Sequence, residues 1–480
     1  MYRTTELRIT GRFLIGILAV ALAGCSVAPR EAIVDPVDLP GAFSDSGREP
    51  LPDRWWQAFE DPALDALIAR AVAENFTLRS VWDRFFQAEQ EAIRAGARLL
   101  PEVDYHGSAR RIRRQTPREG EYSTDYAVGL SASYEVDLWN RLGSLEEAAA
   151  LDARAAREDI TAAAVTLSAA VAKTWYQLAE VVLQDRLIAE QAAINQQVLE
   201  IITLQFRQGQ VEASNVFRQR QLIEATEGQR IRVQQQKALL EHQLAILVGR
   251  VPGDWAPEMP TGLPALPALP AAGVPSDLLL RRPELRRGAN AIAAADARVY
   301  AAVADQYPRL GLTASAETGA AGIGDLFDDW AGTLAANIVG PLLDGNRRRA
   351  EVRRTEAVLS ERVNTYAQQV LTAVAEVEDA LQQEHHQLRT IANVDRQLDL
   401  AEQVYERTRE SYLKGRLDYL RVLDALVSRQ TLQRDALTAQ RLLIEHRIDL
   451  YRSLAGGWEL SPPASAAADP ETHTFSEDQQ

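Results

Sequence analysis

The chain has 480 residues, 46% hydrophobic, 6% aromatic and 25% charged, with one cysteine, six histidines and a formal charge of −15. No apolar stretch reaches the ~18–20 residues of a bilayer-spanning helix, which excludes a polytopic helical membrane protein, and a single cysteine excludes a disulfide scaffold or a cysteine-built metal site. The acidic balance argues against nucleic acid as a partner.

The first segment reads as a processing signal. Arg3, Arg8 and Arg12 form a basic region ahead of the apolar run from Phe13 to Ala23, and the run ends Leu22-Ala23-Gly24-Cys25. Small residues before a cysteine form a bacterial lipobox, so residues 1–24 are expected to be a signal peptide, with Cys25 carrying a covalent diacylglycerol and an acyl chain. Ser26, rather than an aspartate, follows Cys25; by resemblance to other lipoproteins this favours the outer membrane. Removal of the signal leaves a charge of −17.

All 21 prolines fall outside two windows, 118–251 and 342–461, and within these residues 144–208 and 346–414 also lack glycine. Proline and glycine disfavour a helix interior by about 3 and 1 kcal/mol, so such windows predict uninterrupted helices. A helix of about 65 residues would run roughly 97 Å, too long for a compact domain. Apolar positions recur in coiled-coil steps at Ile160, Ala164, Leu167, Val171, Thr174, Leu178 and Val181, and again at Leu359, Val363, Tyr366, Val370, Ala373 and Val377.

The windows read as copies of each other. Leu100-Pro101-Glu102 matches Tyr307-Pro308-Arg309, Gly209 matches Gly415, and Leu247-Val248-Gly249 matches Leu454-Ala455-Gly456, all at offsets of 206 or 207. Repeat one is expected over 62–257 and repeat two over 276–458, each a helix (62–97; 277–305), two alternating segments and a long helical hairpin. Residues 25–61 form the lipidated N-terminal segment, 258–275 a Pro-rich linker, and 459–480 a disordered tail.

The alternating segments are 101–111, 122–136, 308–318 and 330–339. Tyr126, Val128, Leu130 and Tyr134 share one face, as do Leu310 and Leu312, and Trp330, Leu334 and Ile338, with Ser and Thr on the other. Ten alternating residues suit a transmembrane strand. Four strands cannot close a barrel, and open edges are not tolerated in lipid, so two or three copies are required.

Several motifs carry a resemblance. They are Trp55-Trp56-Gln57-Ala58-Phe59 with Asp61-Pro62, Leu280-Arg281-Arg282-Pro283-Glu284-Leu285, and Tyr134-Glu135-Val136-Asp137-Leu138-Trp139. The most specific runs Tyr412, Gly415, Asp418-Tyr419-Leu420, Val422-Leu423-Asp424-Ala425. The mature chain resembles the TolC-like outer-membrane factors, and its lipobox places it with their NodT- or OprM-type lipoproteins. The resemblance implies a mainly α fold with membrane β: a homotrimer whose 12-stranded β-barrel continues into a 12-helix coiled-coil periplasmic barrel, with a belt of short helices. It implies the exit duct of a tripartite efflux pump in a Gram-negative outer membrane, served by a periplasmic adaptor (a membrane fusion protein) and an inner-membrane transporter of RND type. A type I protein-secretion duct and a non-inserting coiled-coil scaffold are the alternatives.

No nucleophile elbow, phosphate loop or metal-binding cluster is present, and no enzyme or cofactor is expected; His385 and His386 read as a solvated pair. Gly209 and Gly415 end the long helices, where by resemblance the adaptor docks. Leu420 and Asp424 share a helix face and match family positions that narrow the tunnel entrance. Arg421, Asp424 and Arg218 are expected to form ion pairs, within one helix or between neighbours, that hold this gate closed. Arg110, Arg111, Arg113, Arg114 and Arg118 cluster at the first strand and its loop. They face phosphorylated lipopolysaccharide sugars, bias the pore mouth toward anions, or are simply solvated.

Overall fold

Two prolines, Pro101 and Pro308, mark the points where helix gives way to strand. The computed structural model describes residues 37–115 and 120–462; the signal segment, Cys25, Arg118 and the tail from 463 lie outside the described residues. Helices α1 (Pro62–Glu74) and α2 (Phe76–Ala97) lead into strands β1 (Glu102–Gln115) and β2 (Gly120–Val136). The 67-residue α3 (Arg141–Arg207) and α4 (Ala213–Leu247) follow. After an extended linker and a one-turn helix, Leu278–Arg281, come α5 (Pro283–Ala304), β3 (Arg309–Ala320) and β4 (Trp330–Val339). The 67-residue α6 (Arg347–Leu413) and α7 (Tyr419–Leu454) are the last elements among the described residues.

Each long helix runs about 100 Å without a break. The first part of α3 packs on α2 and α5, and the rest pairs with α4 and α7; α6 lies against α5 and α7. Of the heptad positions expected from sequence, Ile160 through Val181 are all buried on α3, and Tyr366, Val370, Ala373 and Val377 are buried on α6. Ion pairs Arg286–Glu158 (2.7 Å) and Arg287–Asp159 (3.5 Å) fasten α5 along α3.

The sequence-derived elements need three corrections. The helix expected over 62–97 is broken at Asn75, which adopts an extended conformation (ψ 123°) and caps α2 by accepting from the Leu78 N–H at 2.9 Å. Its amide also donates to the Leu247 carbonyl at 2.9 Å, so one residue ends α1, starts α2 and holds the end of α4. The helix expected over 277–305 is broken at Arg282, because Pro283 drives its predecessor out of the helical region (ψ 123°). The first hairpin is longer than expected: β1 continues to Gln115, so Arg113 and Arg114 lie in the strand and not in a loop.

The four strands form one antiparallel sheet in the order β1-β2-β3-β4. The register aligns the alternating faces across the whole sheet. Tyr105, Leu130, Ala316 and Gly332 stand in one row, and Tyr134, Leu312 and Ala336 in another. That face carries no charge from the base of the sheet up to Tyr126, and its large side chains are bare: Trp330 is 78% exposed and Leu334 84%. The other face bears Asp104, His106, Ser131, Ser315, Glu317, Thr333 and Asn337. Among the described residues, the outer edges of β1 and β4 have no strand partner.

The resemblance motifs occupy the joints. Trp55 stacks on Tyr451, Phe59 packs on Tyr176, and Trp175 Nε1 donates to Asp61 at 2.7 Å while Asp61 caps α1. This wedge fills the core between α3 and α7. At the strand–helix corner, Glu135 accepts two bonds from Arg141 Nη2 (2.8 and 2.9 Å), Asp137 accepts from the Gly143 N–H (2.8 Å), and Trp139 Nε1 reaches the Pro308 carbonyl (2.7 Å).

Candidate functional site at the hairpin tips

The tips are built by the same local chemistry twice. Gly209 (φ +73°) and Gly415 (φ +70°) adopt the left-handed conformation that only glycine reaches without strain. At the first tip Gln210 N–H donates to the Gln205 carbonyl and Gly209 N–H to Phe206, both at 2.9 Å. At the second, Arg416 donates to Ser411 (2.9 Å) and Gly415 to Tyr412 (2.8 Å). Each pair is a Schellman closure, which satisfies the last helical carbonyls and reverses the chain. Helix α7 is then capped by Asp418, whose carboxylate accepts from the Arg421 N–H at 3.2 Å; no side chain caps α4.

Helix α7 presents two faces here. Tyr419, Val422, Ala425 and Leu426 are buried with Ile202, Val216 and Tyr405 in a small core. Leu420 (38% exposed), Arg421 and Asp424 lie on the opposite, open face, and Arg218 is exposed on α4. Arg421, Asp424 and Arg218 form no ion pair with one another inside the chain, so the within-helix pairing expected for Arg421 and Asp424 is not made. Arg421 uses its backbone, not its guanidinium, on the nearest carboxylate.

Beneath the tip a buried polar network joins the two hairpins. The Tyr419 hydroxyl donates to Gln219 Oε1, and Gln219 Nε2 donates to the Asn195 carbonyl at 2.6 Å. Gln430 Nε2 donates to Asn195 Oδ1 (2.9 Å), and Asn195 Nδ2 to Thr226 Oγ1 (3.1 Å). Burial, with the nearby Tyr412 and Tyr405, pushes the Tyr419 phenol well above its ordinary range, so it stays a donor. Farther along, polar pairs stitch α3 to α7: Gln191 to Gln433 (3.0 Å), Glu180 to Arg441 (2.8 Å), Gln177 to Glu445 (2.7 Å) and Lys173 to Asp449 (2.7 Å).

The family profile described as outer membrane efflux protein matches the chain over residues 67–250 and again over 274–456. The chain belongs to that family. This efflux protein is 31% identical to the pyoverdine export outer membrane protein OpmQ of Pseudomonas putida, over 93% of this chain and 97% of that protein. It is 29% identical to the cation efflux system protein CusC of Escherichia coli, over 92% and 98%. Among solved structures, the outer-membrane channel OprN matches with a TM-score of 0.84 at 25% identity, covering 90% of this chain and all (100%) of that one. The open-state outer membrane channel MtrE of Neisseria gonorrhoeae gives 0.80 at 25% identity, covering 92% and 99%.

The gate candidates of the efflux protein thus share one end of the molecule, with Leu420 and Asp424 on one helix face. The network around Asn195 was not among the residues singled out from sequence. Its signal was present in Gln184, Gln191 and Asn195, polar residues at steps of seven and four on an otherwise apolar helix stripe. His385 and His386 sit exposed with their rings 5.4 Å apart, and among the described residues no group of three potential ligands could hold a metal ion.

Proposed function

We propose that three copies of this chain form the passive exit duct of a tripartite efflux pump, exporting small molecules across the periplasm and outer membrane. The observation that carries this reading is a four-stranded sheet, apolar on one face and polar on the other, with both edges open, joined to helices about 100 Å long. Edges exposed to lipid must be paired, and β1 and β4 run in opposite directions, so the β4 of one copy meets the β1 of the next as an antiparallel neighbour. Two copies would close an eight-stranded barrel, whose interior side chains fill; three give 12 strands and an open lumen. Four long-hairpin helices per chain then make a 12-helix tunnel.

The relatives are named for pyoverdine, cation and toluene export. That spread suits a duct that passes whatever its transporter delivers. An RND-type transporter and an adaptor resting on the Gly209 and Gly415 tips complete the assembly. Cys25, within its lipobox, anchors the N-terminus by lipid.

Three-fold symmetry would bring Leu420 and Asp424 into rings around the axis. Like charges held close repel unless partnered. Because Arg421 and Asp424 are both exposed and unpaired with each other in one chain, their pairing falls between neighbours, with Arg218 of the adjoining hairpin within the same ring. Planar-bilayer recordings test this: Asp424→Ala and Arg421→Ala are each expected to raise conductance or open probability severalfold. Unchanged values in both would remove the gate.

A further inference from the structure

The arginines of β1 divide between the two faces of the sheet. In the register Arg110 stands opposite Asp125, on the polar face, and Arg114 lies four residues farther along the same face. Arg111 and Arg113 stand opposite Thr124 and Tyr122, on the apolar face, with no acidic position beside them. Both are exposed, and both guanidiniums lie over the Tyr122 ring, at 4.9 and 5.5 Å from its centre. Among the described residues neither forms an ion pair.

Their height on the sheet follows from strand geometry. From Val136 to Tyr126 the face is uncharged over ten residue steps, about 34 Å of strand, or about 26 Å measured upright at the usual barrel tilt. That equals the apolar band of an outer-membrane barrel. Arg111 and Arg113 lie two and four residues farther, about 5 and 10 Å above the band, at the end away from the long helices. The headgroup layer begins there.

We infer that Arg111 and Arg113, held by Tyr122, form an anionic-lipid site on the outer rim of the barrel, and that its ligand is the phosphorylated sugar headgroup of an outer-leaflet glycolipid. A charged group on a lipid-facing surface needs a counter-charge, and none is supplied on this face by β2, the partner strand within the chain. A phosphate monoester accepts two guanidinium forks, and a ring of such sites would fix the depth of the barrel in the leaflet. Arg110 and Arg114 belong to the lumen and take no part. The inference rests on the reading of the sheet as a membrane span.

The test uses the full-length, detergent-purified oligomer titrated with bisphosphorylated lipid A, followed by native mass spectrometry. R111Q/R113Q is expected to weaken lipid A binding at least tenfold, and R110Q/R114Q to leave it within about threefold. Lipid A stripped of its phosphates should bind the wild type no better than it binds R111Q/R113Q. Equal losses in the two double variants, unchanged binding in R111Q/R113Q, or displacement by inorganic phosphate at equimolar phosphate would each overturn the site. Channel formation in planar bilayers, recorded in parallel, separates the two ideas. Channels without lipid A binding sink this site alone, whereas no channels in any variant sink the duct.

Discussion

Arg447 is a guanidinium taken almost wholly out of water in the last third of α7, with 2% of its surface exposed. Transfer of a cation to such a place costs several kcal/mol, so its partners decide whether the fold tolerates it. It donates from Nε to Glu384 on α6 at 2.8 Å, makes a second bond to the same carboxylate, and reaches the Pro267 and Ala268 carbonyls of the linker. One residue therefore ties two long helices to the extended segment between the halves. Glu384→Ala leaves the cation buried without its counter-charge and should destabilise the protein by about 3–5 kcal/mol in denaturant unfolding. Glu384→Leu combined with Arg447→Met, which removes both charges, is expected to lose much less. Neither residue stood out in the sequence, because an arginine and a glutamate 63 positions apart look like any solvated pair on helix surfaces until packing shuts out the water.

Among the elements, the hairpin tips were the most legible, since glycine's demand for positive φ is a property of one residue and its helix. At Gly415 an added Cβ would meet nothing within 4 Å, so any penalty for Gly415→Ala is conformational and not a clash. About 1–2 kcal/mol is expected, confined to the tip, and hydrogen exchange over 410–420 should speed accordingly while the middle of α6 stays protected. Gly249 differs: a Cβ there would lie 2.5 Å from the Glu74 carbonyl, so both φ and space exclude alanine. Helix ends defined by tertiary bonding were less legible. Asn75 reads as a tolerable helix residue, yet its bond to Leu247, 172 residues away, helps to break one helix into two. The strands ran longer than their alternation predicted because Arg113 and Arg114 continue the ladder regardless of polarity.

For the whole molecule, the open edges of β1 and β4 dictate association. If the sheets close into the proposed barrel, helices about 100 Å long and strands that rise some 40 Å would give an assembly about 140 Å from tip to rim. Class-averaged electron microscopy of the full-length protein in mild detergent is expected to show a tapered cylinder of that length with three-fold end views. A two-fold or monomeric rod without a detergent-wrapped end would contradict it. Long helices, alternating strands, glycine-ended hairpins and the shared helix face of Leu420 and Asp424 were all legible in the sequence, because each depends on spacing within a single element. Only the tertiary structure decided that Asn195, Gln219, Gln430 and Tyr419 meet, that Arg421 and Asp424 make no ion pair with each other, and that Arg111 and Arg113 lie on the apolar face of the sheet. Those outcomes depend on the register between elements and on which groups lose their water, and both are set by packing across the chain.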